Sequence, residues 1–166
     1  MTLLMLLFWL IVGGTLQAAV PAWRHMGQPE FPFLLGVTLY AALHKKARYF
    51  AATAFLAGLV ADSLSLAPLG FSVVAFLAAG GLAKWLGGDF YADKARTITW
   101  FGALCAATAT GTMALLLRTD GRVALSGREI VWRMAGSAVL AAVLVPLWFR
   151  LMRGLERLLG TWEDRV

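Results

Sequence analysis

The sequence has few charged residues and almost no cysteine. Only 14% of its 166 residues are Asp, Glu, Lys or Arg, whereas soluble proteins carry roughly 25%. Hydrophobic residues make up 60%, which excludes a disordered chain as well as an ordinary soluble domain. The single cysteine, Cys105, lies in an apolar run and cannot form an intrachain disulfide. We predict that it is a small buried core residue.

The sequence also lacks the residue combinations of common catalytic and ligand-binding sites. His25 and His44 flank different apolar runs on opposite predicted sides of a membrane, so they cannot share a metal ion. We predict that both are surface residues. No serine has a histidine on a neighbouring membrane-embedded turn to act as a base, and Gly80-Gly81 and Gly87-Gly88 lack the lysine of a phosphate loop. We therefore predict no catalytic residue, no metal, no cofactor and no nucleic acid partner.

Long uncharged runs separated by short charged clusters are the main feature of the chain. Such runs are typical of helices that cross a membrane, which need about 20 apolar residues. The run 49–83 is too long for one crossing, and Pro68 provides the break because proline suits the first turn of a helix. We predict an all-α integral membrane protein, one transmembrane domain over residues 1–166, with six transmembrane helices at residues 2–23, 29–43, 49–66, 68–86, 97–117 and 130–149.

The segment 150–166 is a basic tail. Its leucines and arginines fall on different faces of a helix, the pattern of a helix lying in the membrane interface. A simple extension of the sixth helix, beyond a kink at Pro146, explains the same residues. The leucines on one face are Leu151, Leu155, Leu158 and Leu159, and the arginines on the other are Arg150, Arg153 and Arg157.

The distribution of lysine and arginine predicts the orientation in the membrane. Cytoplasmic segments carry an excess of these residues. With the N-terminus inside, ten basic residues lie inside and five outside, so we predict that both termini are cytoplasmic. The inner ones are Lys45, Lys46, Arg48, Lys84, Lys94, Arg96, Arg150, Arg153, Arg157 and Arg165, and the outer ones are Arg24, Arg118, Arg122, Arg128 and Arg133.

Asp62 is the most informative single residue, because a carboxylate at the centre of a membrane-spanning helix costs roughly 2.5 to 3.5 kcal/mol. Ala54 and Gly58 lie eight and four residues before it and share its helical face, where small residues let another helix approach closely. Two interpretations remain open. Asp62 is a polar anchor at a helix interface, or it lies near the outer end of the third helix and is solvated or bonded to backbone amides of the following turn.

Taken together, these motifs resemble the MreD family of rod shape-determining membrane proteins. The resemblance rests on a basic turn at His44-Lys45-Lys46-Ala47-Arg48, the G-x-x-x-D pattern of Gly58 and Asp62, and Pro68-Leu69-Gly70 shortly after it. It implies a non-enzymatic, multi-pass protein of the bacterial cytoplasmic membrane that binds MreC. Through MreC it would act with the MreB filament, RodA and a class-B penicillin-binding transpeptidase in sidewall peptidoglycan synthesis. The predicted partner or helix-interface residues are Ala54, Gly58, Asp62, Pro68, Leu69 and Gly70.

A second hypothesis concerns small-molecule binding. The substrate-binding subunits of energy-coupling-factor vitamin transporters also consist of six short helices, and we expect the fold to resemble their bundle. Those subunits usually show an A-x-x-x-A face on their first helix. Here Ala18 and Ala22 match that spacing with Pro21 between them, so the shape-determination hypothesis explains more of the chain.

Overall fold

The computed structural model describes residues 2–19, 32–65, 68–87, 95–121 and 126–158, and within these ranges every regular element is a helix. This confirms the all-helical prediction. The six helices are α1 (Thr2–Ala19), α2 (Phe33–His44), α3 (Ala47–Leu64), α4 (Phe71–Gly87), α5 (Ala95–Thr119) and α6 (Gly127–Leu158).

Consecutive helices run in opposite directions. In the α5–α6 pair, Gly102 lies against Val145, and Thr110 Oγ1 donates a hydrogen bond to Ser137 Oγ at 2.8 Å. Contacts between other consecutive helices show the same antiparallel arrangement. The bundle therefore has two ends. One end, which we call the basic end, holds the starts of α1, α3 and α5 and the ends of α2, α4 and α6. We call the other the opposite end.

The shortest helix is the centre of the bundle. Every residue of α2 from Leu34 to Leu43 is buried, and the helix contacts α1, α3, α4, α5 and α6. Cys105 is also fully buried, and its thiol donates to the Ala79 carbonyl oxygen at 3.3 Å, which confirms its prediction as a core residue. The uniform apolarity of α2 thus reflects neighbours on every side.

Two helix starts differ from the sequence prediction for local reasons. The prediction that the fourth helix begins at Pro68 is wrong by three residues, because Gly70 adopts φ +100° and ends the turn before Phe71. The sixth helix begins at Gly127 rather than residue 130. Its start is fixed by a capping box in which Ser126 N donates to Glu129 Oε2 at 2.9 Å and Glu129 N donates to Ser126 Oγ at 3.3 Å.

The sixth helix continues through Pro146 to Leu158. Of the two explanations for the basic tail, the structure therefore contains the extension of the sixth helix, at least to residue 158. The second helix covers residues 33–44, where 29–43 was predicted, and the third covers 47–64, where 49–66 was predicted. The fifth helix is two residues longer at each end than predicted. Predicted helical residues 20–23, 29–31 and 66, and the rest of the tail, lie outside the described residues.

Two helices are long and apolar enough to cross a membrane by length and composition, Arg96–Thr119 and Gly127–Leu158, among the residues that the structure describes. Shorter apolar helices cover Leu4–Ala19, Phe33–His44 and Phe71–Gly87. The surface of the bundle is rich in large apolar side chains, as expected where lipid replaces water. Those at least half exposed include Phe8, Ile11, Trp85, Trp100, Leu115, Trp132, Val139 and Val143.

A helix-contact site at the turn between α3 and α4

Asp62 joins α3 to the start of α4. Its side chain is 3% exposed, and its two carboxylate oxygens accept hydrogen bonds from the backbone amides of Gly70, at 2.6 Å, and Ser72, at 3.0 Å. Gly70 directly precedes α4 and Ser72 lies in its first turn, where helix N–H groups have no intrahelical acceptor and carry a partial positive charge. Bonding to backbone amides of the following turn was the second of the two interpretations of Asp62.

The small residues on the same face of α3 allow α4 to approach closely. At Gly58, a Cβ atom would lie 2.5 Å from the Cα and N atoms of Val73, so only glycine fits. One turn earlier, Ala54 is fully buried in a small cluster with Ala42 and Phe50. Ala54, Gly58 and Asp62 therefore line the contact with α4 and the core of this chain.

The three remaining predicted residues form the turn itself. Pro68 O accepts a hydrogen bond from Phe71 N at 3.3 Å, which closes the turn. Gly70 has open space around the position of a Cβ atom, and its φ of +100° is the reason for glycine there. Leu69, between them, is 74% exposed. Of the six predicted residues, Leu69 is thus the apolar side chain that the structure presents on the surface.

Sequence reasoning missed a second polar site, at the basic end. The Tyr40 hydroxyl donates to Glu156 Oε2 at 2.6 Å, and Lys45 Nζ lies 2.8 Å from Glu156 Oε1. Glu156 is 2% exposed and Tyr40 is fully buried. This Tyr40–Glu156–Lys45 network fastens the last turns of α6 to the end of α2. Glu156 is the one acidic residue in the segment 150–158. Tyr40 is 116 positions away, and no local pattern indicates that the two side chains meet.

His44 lies next to this network. Its ring stacks on Tyr40 with centroids 4.6 Å apart and meets Phe149 edge-on at 5.6 Å. His44 is therefore half-buried rather than fully on the surface as predicted, because Tyr40 and Phe149 cover part of its ring. His25 lies outside the described residues. Within the described ranges, no three His, Cys, Asp or Glu side chains come together as a possible metal site.

Comparison with known families identifies the family of the chain. A family model described as rod shape-determining protein MreD matches residues 1–155. The chain belongs to the MreD family. This confirms the resemblance found from Gly58, Asp62 and the turn, and it assigns the protein to a family of membrane proteins with a role in rod shape determination.

MreD membership favours the shape-determination hypothesis over the vitamin-transporter one. Comparisons with curated proteins and with solved structures gave no match. The expected likeness to the bundle of transporter substrate-binding subunits therefore stays a prediction.

Proposed function

We propose that this MreD family protein is a non-enzymatic membrane scaffold of the bacterial cell-elongation complex. In this role it binds MreC and, with MreB, RodA and a class-B penicillin-binding transpeptidase, helps control cell shape and sidewall peptidoglycan synthesis. The family match over residues 1–155 carries the proposal. The geometry agrees with a scaffold, because the buried polar groups described above hold helices together, and a positioning protein needs that rigidity.

The proposed orientation has six crossings with both termini in the cytoplasm of a bacterial inner membrane. The charges of the described residues support it. The basic end carries Lys45, Lys46, Arg48, Lys84, Arg96, Arg150, Arg153 and Arg157 against Glu156. The opposite end carries Arg118, Arg128 and Arg133 against Asp62, Asp120 and Glu129. Eight basic residues against three favour a cytoplasmic basic end.

In this orientation, the turn at 68–70 faces the periplasm and is the proposed contact for MreC. Leu69 is exposed at the tip of this turn. The backbone that follows Leu69 is held by Asp62, which accepts hydrogen bonds from the amides of Gly70 and Ser72. A turn held in one conformation loses little entropy on binding, which favours affinity. Ala54 and Gly58 would support the turn indirectly, by seating α4 against α3.

The test is recovery of MreC with the tagged protein from membranes of a strain that lacks the native copy. Leu69→Ser should lower the MreC recovered per unit of membrane-inserted protein and widen the cells. Leu115→Ser is the matched control, because Leu115 is a 61% exposed leucine near the same end and lies on α5. Full recovery of MreC with Leu69→Ser would refute the turn as the contact, and no recovery with the unaltered protein would refute the scaffold.

Reporter fusions test the orientation separately. A cytoplasm-active reporter should work after Val166, and a periplasm-active one should work in the exposed Asp120-Gly121 turn. A periplasm-active reporter that works after Val166 contradicts the proposed topology.

A further inference from the structure

The last turns of α6 extend beyond the start of α5, one of the helices that α6 packs against. Because Gly102 lies against Val145, continuing this antiparallel register by seven residues puts Ala95, the start of α5, level with Met152. Residues 153–158 therefore project beyond α5 by six residues, which is about 9 Å of helix at 1.5 Å per residue.

The exposed side of α6, from residue 150 to the end of this projection, combines basic and aliphatic side chains in register. Arg150 and Arg157 are exposed and seven residues apart, so they share one helical face. Leu151 and Leu158 repeat the same spacing one position further on and are 50% and 85% exposed. Two parallel rows, one cationic and one aliphatic, thus run along the outside of the last turns of α6.

The Tyr40–Glu156–Lys45 network explains how this side of α6 stays cationic. Glu156 is the one acidic residue in the segment 150–158, and it points inward, where the Tyr40 hydroxyl and Lys45 Nζ contact its two carboxylate oxygens. Its charge is buried against α2 rather than displayed beside Arg150 and Leu151. The same contacts fasten the projecting turns to the rest of the protein, so the two rows keep a fixed orientation.

We propose that this basic and aliphatic face of α6 is a binding site for the headgroups of anionic phospholipids. The guanidinium groups of Arg150 and Arg157 match the phosphate group of a lipid in charge and in hydrogen-bonding geometry. The adjacent Leu151 and Leu158 match the upper part of the acyl chains, as in helices that lie at a membrane surface. Charge complementarity therefore selects an anionic lipid over a zwitterionic one.

Native mass spectrometry of the full-length protein in detergent tests this proposal. The protein is titrated with phosphatidylglycerol and, separately, with phosphatidylcholine. We expect preferential binding of phosphatidylglycerol. The double variant Arg150→Gln/Arg157→Gln should bind phosphatidylglycerol about 30-fold more weakly, which corresponds to about 1 kcal/mol for each basic residue at a lipid surface. Its binding of phosphatidylcholine should not change.

Three controls separate lipid binding from loss of structure and from binding of free phosphate. Arg118→Gln/Arg128→Gln removes two exposed arginines at the opposite end and should leave binding unchanged. Arg150→Lys/Arg157→Lys keeps the charge and should keep most of the affinity. Millimolar inorganic phosphate should not displace the lipid, because it makes no contact with Leu151 or Leu158.

Equal affinity for the two lipids, or unchanged phosphatidylglycerol affinity in the glutamine variant, would overturn the proposal. So would displacement of the lipid by inorganic phosphate, which would indicate a site for the free anion. MreC is absent from this experiment. The result of the lipid titration is therefore independent of whether the proposed scaffold function is correct.

Discussion

Replacing Gly58 by alanine probes the closest helix contact at the α3–α4 site. The new methyl carbon would lie 2.5 Å from the Cα and N atoms of Val73. Both atoms belong to the backbone of α4, so no side-chain rotation can relieve the clash and the helix itself must move. Asp62 lies one turn along the same face, at 2.6 and 3.0 Å from the amide nitrogens of Gly70 and Ser72, and such a movement would stretch both hydrogen bonds.

The magnitude follows from two opposing effects. Alanine is a better helix former than glycine by about 1 kcal/mol, which favours the variant. Overpacking a tight contact costs about 1–3 kcal/mol, and weakening a buried hydrogen bond to a charged group adds about 1 kcal/mol or more. The clash and the lost hydrogen bonding outweigh the helix propensity, so Gly58→Ala should lower the free energy of unfolding by about 2 kcal/mol.

Gly81→Ala is the matched control, because Gly81 is a helical glycine of α4 with open space around its Cβ position. It keeps the gain in helix propensity without a clash, so it should raise the free energy of unfolding by about 1 kcal/mol. The assay is unfolding of the purified protein by sodium dodecyl sulfate in mixed micelles, followed by tryptophan fluorescence. A Gly58→Ala protein as stable as the Gly81→Ala protein would refute the close approach of the two helices.

Further substitutions test the two buried carboxylates. Asp62→Leu leaves the amides of Gly70 and Ser72 without this acceptor and should reduce the free energy of unfolding by about 3 kcal/mol. Asp62→Asn keeps one acceptor oxygen and should lose about half as much. Equal losses in the detergent assay would contradict this geometry. Glu156→Gln removes the charge that pairs with Lys45 and should cost about 3 kcal/mol, and Tyr40→Phe about 1.5 kcal/mol. If the loss of stability in the double variant Glu156→Gln/Tyr40→Phe equals the sum of the two single losses, the two contacts are not coupled.

The α3–α4 site illustrates what local sequence can and cannot predict. The spacing of Ala54, Gly58 and Asp62 indicated a close helix contact, because residues four apart share a helical face whatever they touch. The same spacing gave no information about which helix approaches. The turn after α3 determines which helix approaches, because Pro68 and Gly70 reverse the direction of the chain within a few residues and place α4 beside α3.

The network at the basic end was hidden from sequence for a different reason. Glu156 was included in a basic tail whose leucines suggested a separate helix at the membrane surface. Its burial depends on Tyr40, which reaches it only after the whole bundle has formed, and no periodicity within α2 or α6 carries that information. Uniformly apolar helices such as α2 show no distinct polar side, so their partners cannot be deduced from the pattern alone.

The short central helix raises the question of how its end is tolerated inside an apolar bundle. At 1.5 Å per residue, 12 residues cover about 18 Å, well short of the 30 Å hydrocarbon layer. Helix ends leave carbonyl oxygens without partners, and such groups are costly away from water. Lys84, from the last turn of α4, donates to the Ala42 and Lys45 carbonyl oxygens at 3.4 and 3.2 Å. The ammonium group thus caps α2 from a neighbouring helix, while Lys45 is free to turn its own side chain to Glu156. Short length and central position are therefore compatible, because Lys84 satisfies two of the carbonyl oxygens that the early end of α2 exposes.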